Sequence, residues 1–367
     1  MIKLNEKEII DIFISKLIGS KKNNLNFRDD VSVLFLQNLN DEYSNNFDPT
    51  RVVIKSDMLI ESTDVLKQME PWQIARKSVV SSVSDMSAKG IASPFYSLLS
   101  VGLPRSWTKN KINNLVYGFK KASKEFDITF LGGDTNESKE LIIDCVLLGF
   151  LTPKFDIPER SGARENDLVI VSGEFGYSSA GLKILLDRKK ANKNFKKKAI
   201  KSILYPSPRQ KFGKVLGKYF TSSIDSSDGL STSLYELANQ SKVDILIDNI
   251  PIAKGLKEFS KINSINLHDL IFNGGEEYEI VATVKRSMIK KIKIISKKFG
   301  LKVIVIGQVK SGGGRVLIKE SKNLNVTNTL KKTVGGDEYS LLENKGYLHF
   351  SDINKVLISY SNDIKHV

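Results

Sequence analysis

Cysteine and histidine are scarce in this sequence, and their scarcity excludes several kinds of site. The 367 residues include one cysteine, Cys145, and three histidines, at positions 268, 349 and 366. One cysteine cannot form an internal disulfide, and because Cys145 lies in an apolar run we expect it in the core of a protein from the reducing cytoplasm. A zinc site or a Cys–His nucleophile pair needs more of these residues in one place. The sequence therefore argues against zinc-based and thiolate-based chemistry.

Long apolar runs and the common phosphate-binding signatures are also missing. No stretch reaches the ~18 apolar residues of a membrane span, and the best candidate, residues 141–151, is interrupted by Asp144. Residues 4–18 mix charged and apolar side chains at helical spacing, which predicts an amphipathic helix and not a signal peptide. The nearest approach to a P-loop, residues 176–183, has Leu182 where the motif requires lysine, and no protein-kinase motif set is present. We expect a protein without a membrane span and without either of these nucleotide-binding folds.

Acidic residues are outnumbered, with 41 Asp and Glu against 56 Lys and Arg, for a net charge of +15. The excess is mostly lysine and is spread over the whole chain. Its densest run, residues 188–201, is interrupted by apolar residues at roughly helical spacing, which favours a solvated helix face over an anion-attracting surface. We therefore predict no nucleic-acid partner from the charge.

The length suits two domains of ordinary size. In the first half, strands are predicted over residues 31–36, 51–56, 95–102, 128–131 and 140–151, with helices over 71–89 and 109–126. A segment rich in Pro and Gly over residues 152–166 suggests a boundary. We predict an N-terminal domain over residues 1–152, a C-terminal domain of alternating strands and helices over 153–350, and a tail over 351–367. The expected class is mixed α+β and α/β.

Short acidic segments recur along the chain, most of them at a strand end or near a helix start. They contain Asp29 with Asp30, Asp57, Asp85, Asp134, Asp225 with Asp228, and Glu276 with Glu277. Carboxylates are hard oxygen ligands of the kind that magnesium takes together with phosphates, and neighbouring glycines let a backbone approach a phosphate. Each segment alone is more often a cap or a turn; Asp225 or Ser227, for example, could cap a helix. Asp85 resists that interpretation, because a carboxylate in a largely apolar helix is costly unless paired. Together the segments predict metal-assisted phosphoryl transfer that uses ATP.

Eight segments in order resemble the thiamine-monophosphate kinase family, over roughly residues 5–350: RDDVSVL, SDMLIESTDV, VSSVSDMSAKGIASP, LGGDTNES, RSGARENDLVIVSGEFGYSSAGL, IDSSDGLSTSLYELA, NGGEEYEI and IGQV. That family belongs to the superfamily of aminoimidazole ribonucleotide synthetase. The resemblance implies two domains with that synthetase-like fold, in which N-terminal strands build a barrel shared by a homodimer. It also implies direct in-line transfer of the γ-phosphoryl group of ATP to thiamine monophosphate, giving thiamine diphosphate, with several magnesium ions and no protein nucleophile.

Motif matching to this family implies a role for each site residue. The implied metal ligands are Asp30, Ser56, Asp57, Asp85, Asp134, Asp225 and Asp228. The implied ATP contacts are Gly133, Asp134, Arg160 and Ser227. The implied substrate contacts are Asp64, Glu276 and Tyr347.

Three positions depart from the family pattern. Arg28 replaces a glycine before the Asp pair, Asp64 replaces a substrate-contacting histidine, and Glu277 replaces an aspartate. The segment around Asp64 is similar to an archaeal-type branch of the family. Two alternatives stay open: ring closure of the aminoimidazole ribonucleotide synthetase type, against which the GGEEYE and IDSSDGL forms speak, and a nucleotide sensor without catalysis. Selenophosphate synthetase and the hydrogenase maturation enzyme are disfavoured, because each would need a cysteine or selenocysteine near one terminus.

Overall fold

The computed structural model describes residue 8 and residues 29–35, 51–151, 155–319, 331–334 and 337–347. Apart from residue 8, the predicted helix over 4–18 and the predicted tail over 351–367 lie outside these ranges. None of the helices in the described ranges combines the length and apolar character that a membrane span requires.

Two mixed β-sheets organise the fold. The first has five strands in the order β1-β2-β5-β3-β4, and the second has eight in the order β12-β13-β11-β8-β10-β6-β9-β7. The strands of the first sheet are β1 (Ser32–Phe35), β2 (Arg51–Ile60), β3 (Phe95–Pro104), β4 (Ile128–Ser138) and β5 (Ile142–Phe150). Those of the second are β6 (Leu168–Val171), β7 (Phe220–Ser226), β8 (Val243–Ile247), β9 (Glu279–Val284), β10 (Ile304–Ser311), β11 (Val316–Lys319), β12 (Lys331–Val334) and β13 (Asp337–Leu341).

Helices connect and cover these strands. They are α1 (Glu61–Asp64), α2 (Pro71–Ala88), α3 (Lys109–Phe126), α4 (Tyr177–Leu186), α5 (Lys193–Leu204), α6 (Gln210–Leu216), α7 (Leu230–Ser241), α8 (Leu256–Asn263), α9 (Leu267–Phe272) and α10 (Ile289–Phe299). The expected mixture of strands and helices in both halves is confirmed. The domain boundary at residue 152 stays a prediction, because residues 152–154 lie outside the described ranges.

Helix α2 holds the two halves together. It begins at Pro71, which needs no backbone partner at this position, with a capping box between Glu70 and Gln73. The second half of the helix consists mostly of small side chains, and most residues of the whole helix are buried, as expected for a helix that packs against structure all round. Val79, Val80 and Val83 join the core of the first sheet, whereas Ala88 joins a core that α6, β7 and β9 supply. The helix therefore carries Asp85 to the junction of the two halves.

The strand β7 and the helix α7 bring a second acidic segment to the same junction. β7 ends at Ser226, and α7 begins at Leu230 after Gly229, whose φ of 110° favours glycine. Gly229 is the N-cap, with no side-chain cap bond, so the interpretation of Asp225 or Ser227 as a cap is wrong. Asp225 is instead the penultimate residue of the buried strand.

A close contact between α2 and α3 gives a test of this packing. A Cβ added at Gly118 of α3 would lie 2.2 Å from the carbonyl oxygen of Trp72 in α2, so Gly118→Ala must push the helices apart. We expect the free energy of unfolding to fall by about 2 kcal/mol. Urea denaturation measures this, with Gly313→Ala as the control because a Cβ there would meet nothing within 4 Å. Equal stability of the two variants would contradict the described helix contact.

Candidate metal and phosphate site

Three buried carboxylates from distant parts of the sequence meet at the junction of the two sheets. Asp30 precedes β1, Asp85 lies near the end of α2, and Asp225 lies near the end of β7. One carboxylate oxygen from each lies within 4.8 Å of the others. Because all three side chains are buried, their mutual repulsion is poorly screened. Hard oxygen donors in this arrangement fit a divalent cation such as magnesium.

The pKa values of two of these groups reflect that repulsion. Burial, reinforced by the negative charge of Asp30, raises the pKa of Asp225 to about 7, although the Ser84 hydroxyl donates a hydrogen bond of 2.7 Å to its Oδ2. Burial also raises the pKa of Asp85 well above its ordinary value. The Lys55 ammonium, 2.6 Å from Asp85 Oδ2, opposes this rise without cancelling it. Without a metal, these two groups therefore hold protons to unusually high pH.

Asp30 behaves oppositely because two cations contact it. Burial alone would raise the pKa of its carboxyl, but the charges of Arg160 and Lys89 outweigh burial and lower the pKa to about 2. Arg160 Nε lies 2.9 Å from Asp30 Oδ1, and Lys89 Nζ lies 3.0 Å from Oδ2. Asp30 is thus ionised: Arg160 donates a hydrogen bond to Oδ1, whereas Oδ2 has the ion-pair contact with Lys89 but no hydrogen bond among the described residues.

Two further predicted ligands lie beside these carboxylates. Asp57 follows Lys55 on β2 by two residues, so the two side chains share one face of the sheet. The charge of Asp57 contributes to the raised pKa of Asp85. Asp228, in the loop between β7 and α7, is exposed, and its charge contributes to the raised pKa of Asp225. Both are therefore within electrostatic reach of the buried carboxylates.

Ser56 and Asp134 lie elsewhere on the first sheet. The hydroxyl of Ser56 donates to Asp144 Oδ1 at 2.8 Å on the sheet face opposite to Asp57. Asp134 is exposed on β4, and the register places it in one row with Ser100 and Asp144. Within one chain, the structure does not bring either side chain to the buried carboxylates. Their roles as metal ligands stay predictions.

Gly133, a predicted ATP contact, has a backbone position that only glycine tolerates. Its φ is 152°, and a Cβ there would lie 1.8 Å from the carbonyl oxygen of Leu99 on the neighbouring strand β3. The backbone of β4 thus runs very close to β3 at this point. The glycine is explained by that strand contact, and its role toward a nucleotide stays a prediction.

The predicted substrate contacts form a second, linked group. Glu276 has a φ of 60°, its N–H donates to the Ser227 carbonyl at 2.6 Å, and its carboxylate pairs with the buried ammonium of Lys77. Lys77 also donates to the carbonyl of Asp64 at 2.6 Å. The Tyr347 N–H donates to the Asp228 carbonyl at 2.9 Å. These contacts bring Ser227, Asp228, Glu276 and Tyr347 together and connect Glu276 to Asp64.

Two departures from the family pattern have local structural partners. The Asp64 carboxylate accepts the Ile60 N–H at 2.7 Å and so closes the short helix α1. The buried Glu277 carboxylate accepts the N–H groups of Gly176 and Ser178, at 2.6 and 3.1 Å, and ties the start of α4 to the loop before β9. Burial raises the pKa of Glu277 to about 7. These contacts explain both side chains within the protein itself and do not show that either one contacts a ligand.

Sequence reasoning missed the cations of this site. Lys55, Lys77 and Lys89 each pair with one of the predicted acidic residues. A signal was present for Lys77, which lies in α2, the same mostly buried helix that carries Asp85. A lysine within a buried helix, like the aspartate beside it, needs a partner.

The pKa values predict how the stability of the metal-free protein depends on pH. Asp225 titrates at about 7 instead of 3.8, and Asp85 and Glu277 are also raised, so the folded protein holds protons that the unfolded chain releases. In EDTA, the free energy of unfolding should therefore fall as the pH rises from about 4 to about 7. Asp30, with its lowered pKa, adds stability that is lost only as the pH falls below about 4.

Urea denaturation at a series of pH values in EDTA measures this dependence. Asp225→Asn removes one of the retained protons and should make the decline shallower, whereas Asp187→Asn, on the surface of the C-terminal half, should leave it unchanged. A profile that rises between pH 4 and pH 7, or one that Asp225→Asn does not alter, would contradict the raised pKa.

Comparisons with known proteins agree with this arrangement. The family model described as AIR synthase related protein, N-terminal domain, matches residues 30–151. The thiamine-monophosphate kinase of Nitrosopumilus maritimus is 41% identical over 88% of this chain and 96% of the relative. That of Pyrococcus horikoshii is 31% identical over 88% of this chain and 94% of the relative.

Among solved structures, AaThiL complexed with AMPPCP and TMP superposes with a TM-score of 0.74 at 28% identity, covering 95% of this chain and 98% of that one. The expected aminoimidazole ribonucleotide synthetase-like fold is confirmed by this similarity together with the family model. Because these kinases are 41% and 31% identical to this chain over 88% of its length, and because its acidic segments occur in the family's order, the chain belongs to the thiamine-monophosphate kinase family.

Proposed function

We propose that this protein transfers the γ-phosphoryl group of ATP to thiamine monophosphate, giving thiamine diphosphate and ADP. The observation that carries the proposal is the meeting of Asp30, Asp85 and Asp225 within 4.8 Å beside the guanidinium of Arg160. Similarity to the N. maritimus kinase and to the AMPPCP and TMP complex of AaThiL supports the choice of substrates. The P–O bond to an oxygen of the acceptor phosphate forms as the bond between the γ-phosphorus and ADP breaks.

Magnesium fits the acidic residues at this junction. Asp30, Asp85 and Asp225 would hold the ions, with Asp57 and Asp228 beside them. When bound, magnesium neutralises phosphate charge and aligns the two phosphates for in-line displacement. Because both reactants are phosphates, the protein has to supply position and charge and no nucleophile.

Other residues of the chain complete the proposed site. The side chain of Arg160 is 21% exposed, so its guanidinium can reach a nucleotide phosphate. Ser227 and the backbone of Gly133 are the further proposed ATP contacts, and Asp134 and Ser56 the further proposed ligands. Glu276 supplies a carboxylate for the cationic thiamine heterocycle, with Asp64 and Tyr347 nearby. The protein is proposed to act in the cytoplasm, in keeping with its buried, unpaired Cys145.

A direct assay tests the reaction. Purified protein with ATP, magnesium and thiamine monophosphate should form thiamine diphosphate, detected as fluorescent thiochrome after oxidation. Asp85→Asn removes one charge from the buried carboxylates and should lower kcat by about 10²-fold or more. Asp187→Asn is the matched control, because it removes a carboxylate far from this junction and should retain full activity.

Two results would overturn the assignment. Product no greater than that of Asp85→Asn would remove the kinase proposal. Product from free thiamine and none from the monophosphate would show that the acceptor is wrong while the ATP chemistry stands.

A homodimer is the second part of the proposal. Leu34, Met58 and Leu98 are 48%, 58% and 44% exposed on the outer face of the first sheet, and Leu131 on the edge strand β4 is 60% exposed. The register places the first three on one side of β1, β2 and β3. Clustered exposed apolar side chains of this kind typically mark an interface between proteins. We propose that a second copy covers this face.

Light scattering coupled to size-exclusion chromatography tests the dimer. The double substitution Met58→Glu with Leu98→Glu should shift the mass from dimer to monomer, because two buried carboxylates per copy would face an apolar surface. Ile294→Glu is the control, since Ile294 is 71% exposed but lies on α10, far from this face. A monomeric parent protein, or a dimer unaffected by the double substitution, would contradict the proposed interface.

A further inference from the structure

The ammonium of Lys89, directly after α2, is enclosed by oxygen atoms. Its side chain is 0% exposed, and Nζ lies 2.6 Å from Asp29 Oδ1 and 3.0 Å from Asp30 Oδ2. The carbonyl oxygens of Ser223 and Pro158 lie at 2.6 and 3.1 Å. The ammonium donates hydrogen bonds to the two carbonyls and forms ion pairs with the two carboxylates. Such a buried cation is fixed in place.

The four oxygens come from three separate segments. Asp29 and Asp30 precede β1, Pro158 lies in the connection between the two sheets, and Ser223 lies in β7, two residues before Asp225. The Ser223 hydroxyl strengthens this junction by donating to the Ala88 carbonyl at 2.6 Å. Lys89 therefore sets the position of Asp30 relative to both Asp85 and Asp225.

Asp29 and Asp30 also need the positive charge. Their side chains are 4% and 0% exposed, and adjacent buried carboxylates repel each other strongly. The second Asp29 oxygen accepts the backbone N–H of Arg160 at 2.9 Å. Among the described residues, Lys89 is therefore the only side-chain cation in ion-pair contact with Asp29.

Arg160 and Lys89 bind opposite oxygens of Asp30 but differ in freedom. Arg160 holds Oδ1, is partly exposed, and also lies 3.5 Å from the exposed carboxylate of Glu236. Lys89 holds Oδ2 and has no exposed surface. Only Arg160 can turn toward solvent without leaving an empty space in the interior.

We propose that Lys89 is a permanent internal cation of this site, a positioning residue that holds Asp29 and Asp30 while Arg160 turns to a nucleotide phosphate. The ammonium takes the place of a divalent ion on the Lys89 side of Asp30. Divalent ions are thereby directed to the side shared with Asp85 and Asp225. The proposal deepens the proposed function, since it takes magnesium and phosphate as the ligands of the site.

Binding of Mn2+ to the nucleotide-free protein, followed by electron paramagnetic resonance, tests this proposal. Lys89→Met keeps most of the volume and removes the charge, so Mn2+ should bind at least ~10-fold more tightly because a neighbouring repulsive charge is gone. Lys89→Arg keeps the charge and should bind Mn2+ like the parent. In EDTA the Tm of Lys89→Met should fall by roughly 5 °C or more, and added Mg2+ should raise it more than it raises the Tm of the parent.

Arg76→Met is the matched control. Arg76 is a buried cation on the same helix, paired with Glu125 and the Pro206 carbonyl away from the acidic junction. Its loss should lower the Tm and leave Mn2+ affinity unchanged. If Lys89→Met is insoluble, Lys89→Gln, which is also neutral, should show the same tighter binding.

Three results would overturn the proposal. Unchanged or weaker Mn2+ binding by Lys89→Met would reduce Lys89 to a structural brace, and an unchanged Tm would remove even that role. Equally tighter binding by Arg76→Met would assign the effect to general loosening of α2. Because Mn2+ binding is measured without ATP or thiamine phosphates, failure of the kinase assay leaves this test intact.

Discussion

Repulsion between buried carboxylates is the constraint around which this structure is arranged. Asp30, Asp85 and Asp225 meet in a buried position where water screens their charges poorly. Their electrostatic repulsion must therefore be offset by protons, by side-chain cations or by metal ions. The chain uses the first two in the ligand-free state. Lys89 and Arg160 keep Asp30 ionised, and Asp225 and Asp85 retain protons to higher pH. Binding of divalent ions would release those protons, which couples occupancy of the site to pH.

The balance between carboxylates and cations differs between the two ends of the site. At the end that contains Asp30, Asp85 and Asp225 the carboxylates outnumber the side-chain cations, which is the charge balance that the proposed binding of divalent ions requires. At the other end one carboxylate, Glu276, is matched by one ammonium, Lys77, and the pair is anchored by the Asp64 carbonyl. The Asp64 carboxylate itself accepts the N–H of Ile60 at the start of α1. The polar contacts of both ends converge on the loop that contains Ser227 and Asp228.

The sequence predicted the components of this site better than their pairings. Asp85 was identified because a carboxylate in an apolar helix needs a partner, and the structure supplies Lys55 for it. The partners themselves could not be deduced, since Lys55 and Lys89 look like ordinary members of a lysine-rich composition until the chain has folded. Strand alternation explains why Ser56 and Asp57, adjacent in sequence, face opposite sides of the sheet. The positions of the strands in the first half followed from periodicity and the start of α2 from Pro71, although β2 and β4 extend beyond the predicted 51–56 and 128–131. Strands β11 to β13 carry no comparably clear pattern.

The large sequence separation between hydrogen-bonded residues of the site also affects how the protein folds. The hydrogen bonds of the site join residues far apart in the chain: 130 positions separate Asp30 from Arg160, 141 separate Ser84 from Asp225, and 199 separate Lys77 from Glu276. Contacts with such large sequence separations form late, because the loop-closure entropy must be overcome before they contribute any stability. During synthesis α2 leaves the ribosome well before the Glu276 segment, so the ammonium of Lys77 stays without this carboxylate until the later segment has been made. We therefore expect the cluster of Asp30, Asp85 and Asp225 to be among the last parts of the molecule to take shape, since it is complete only when the second sheet has docked onto α2.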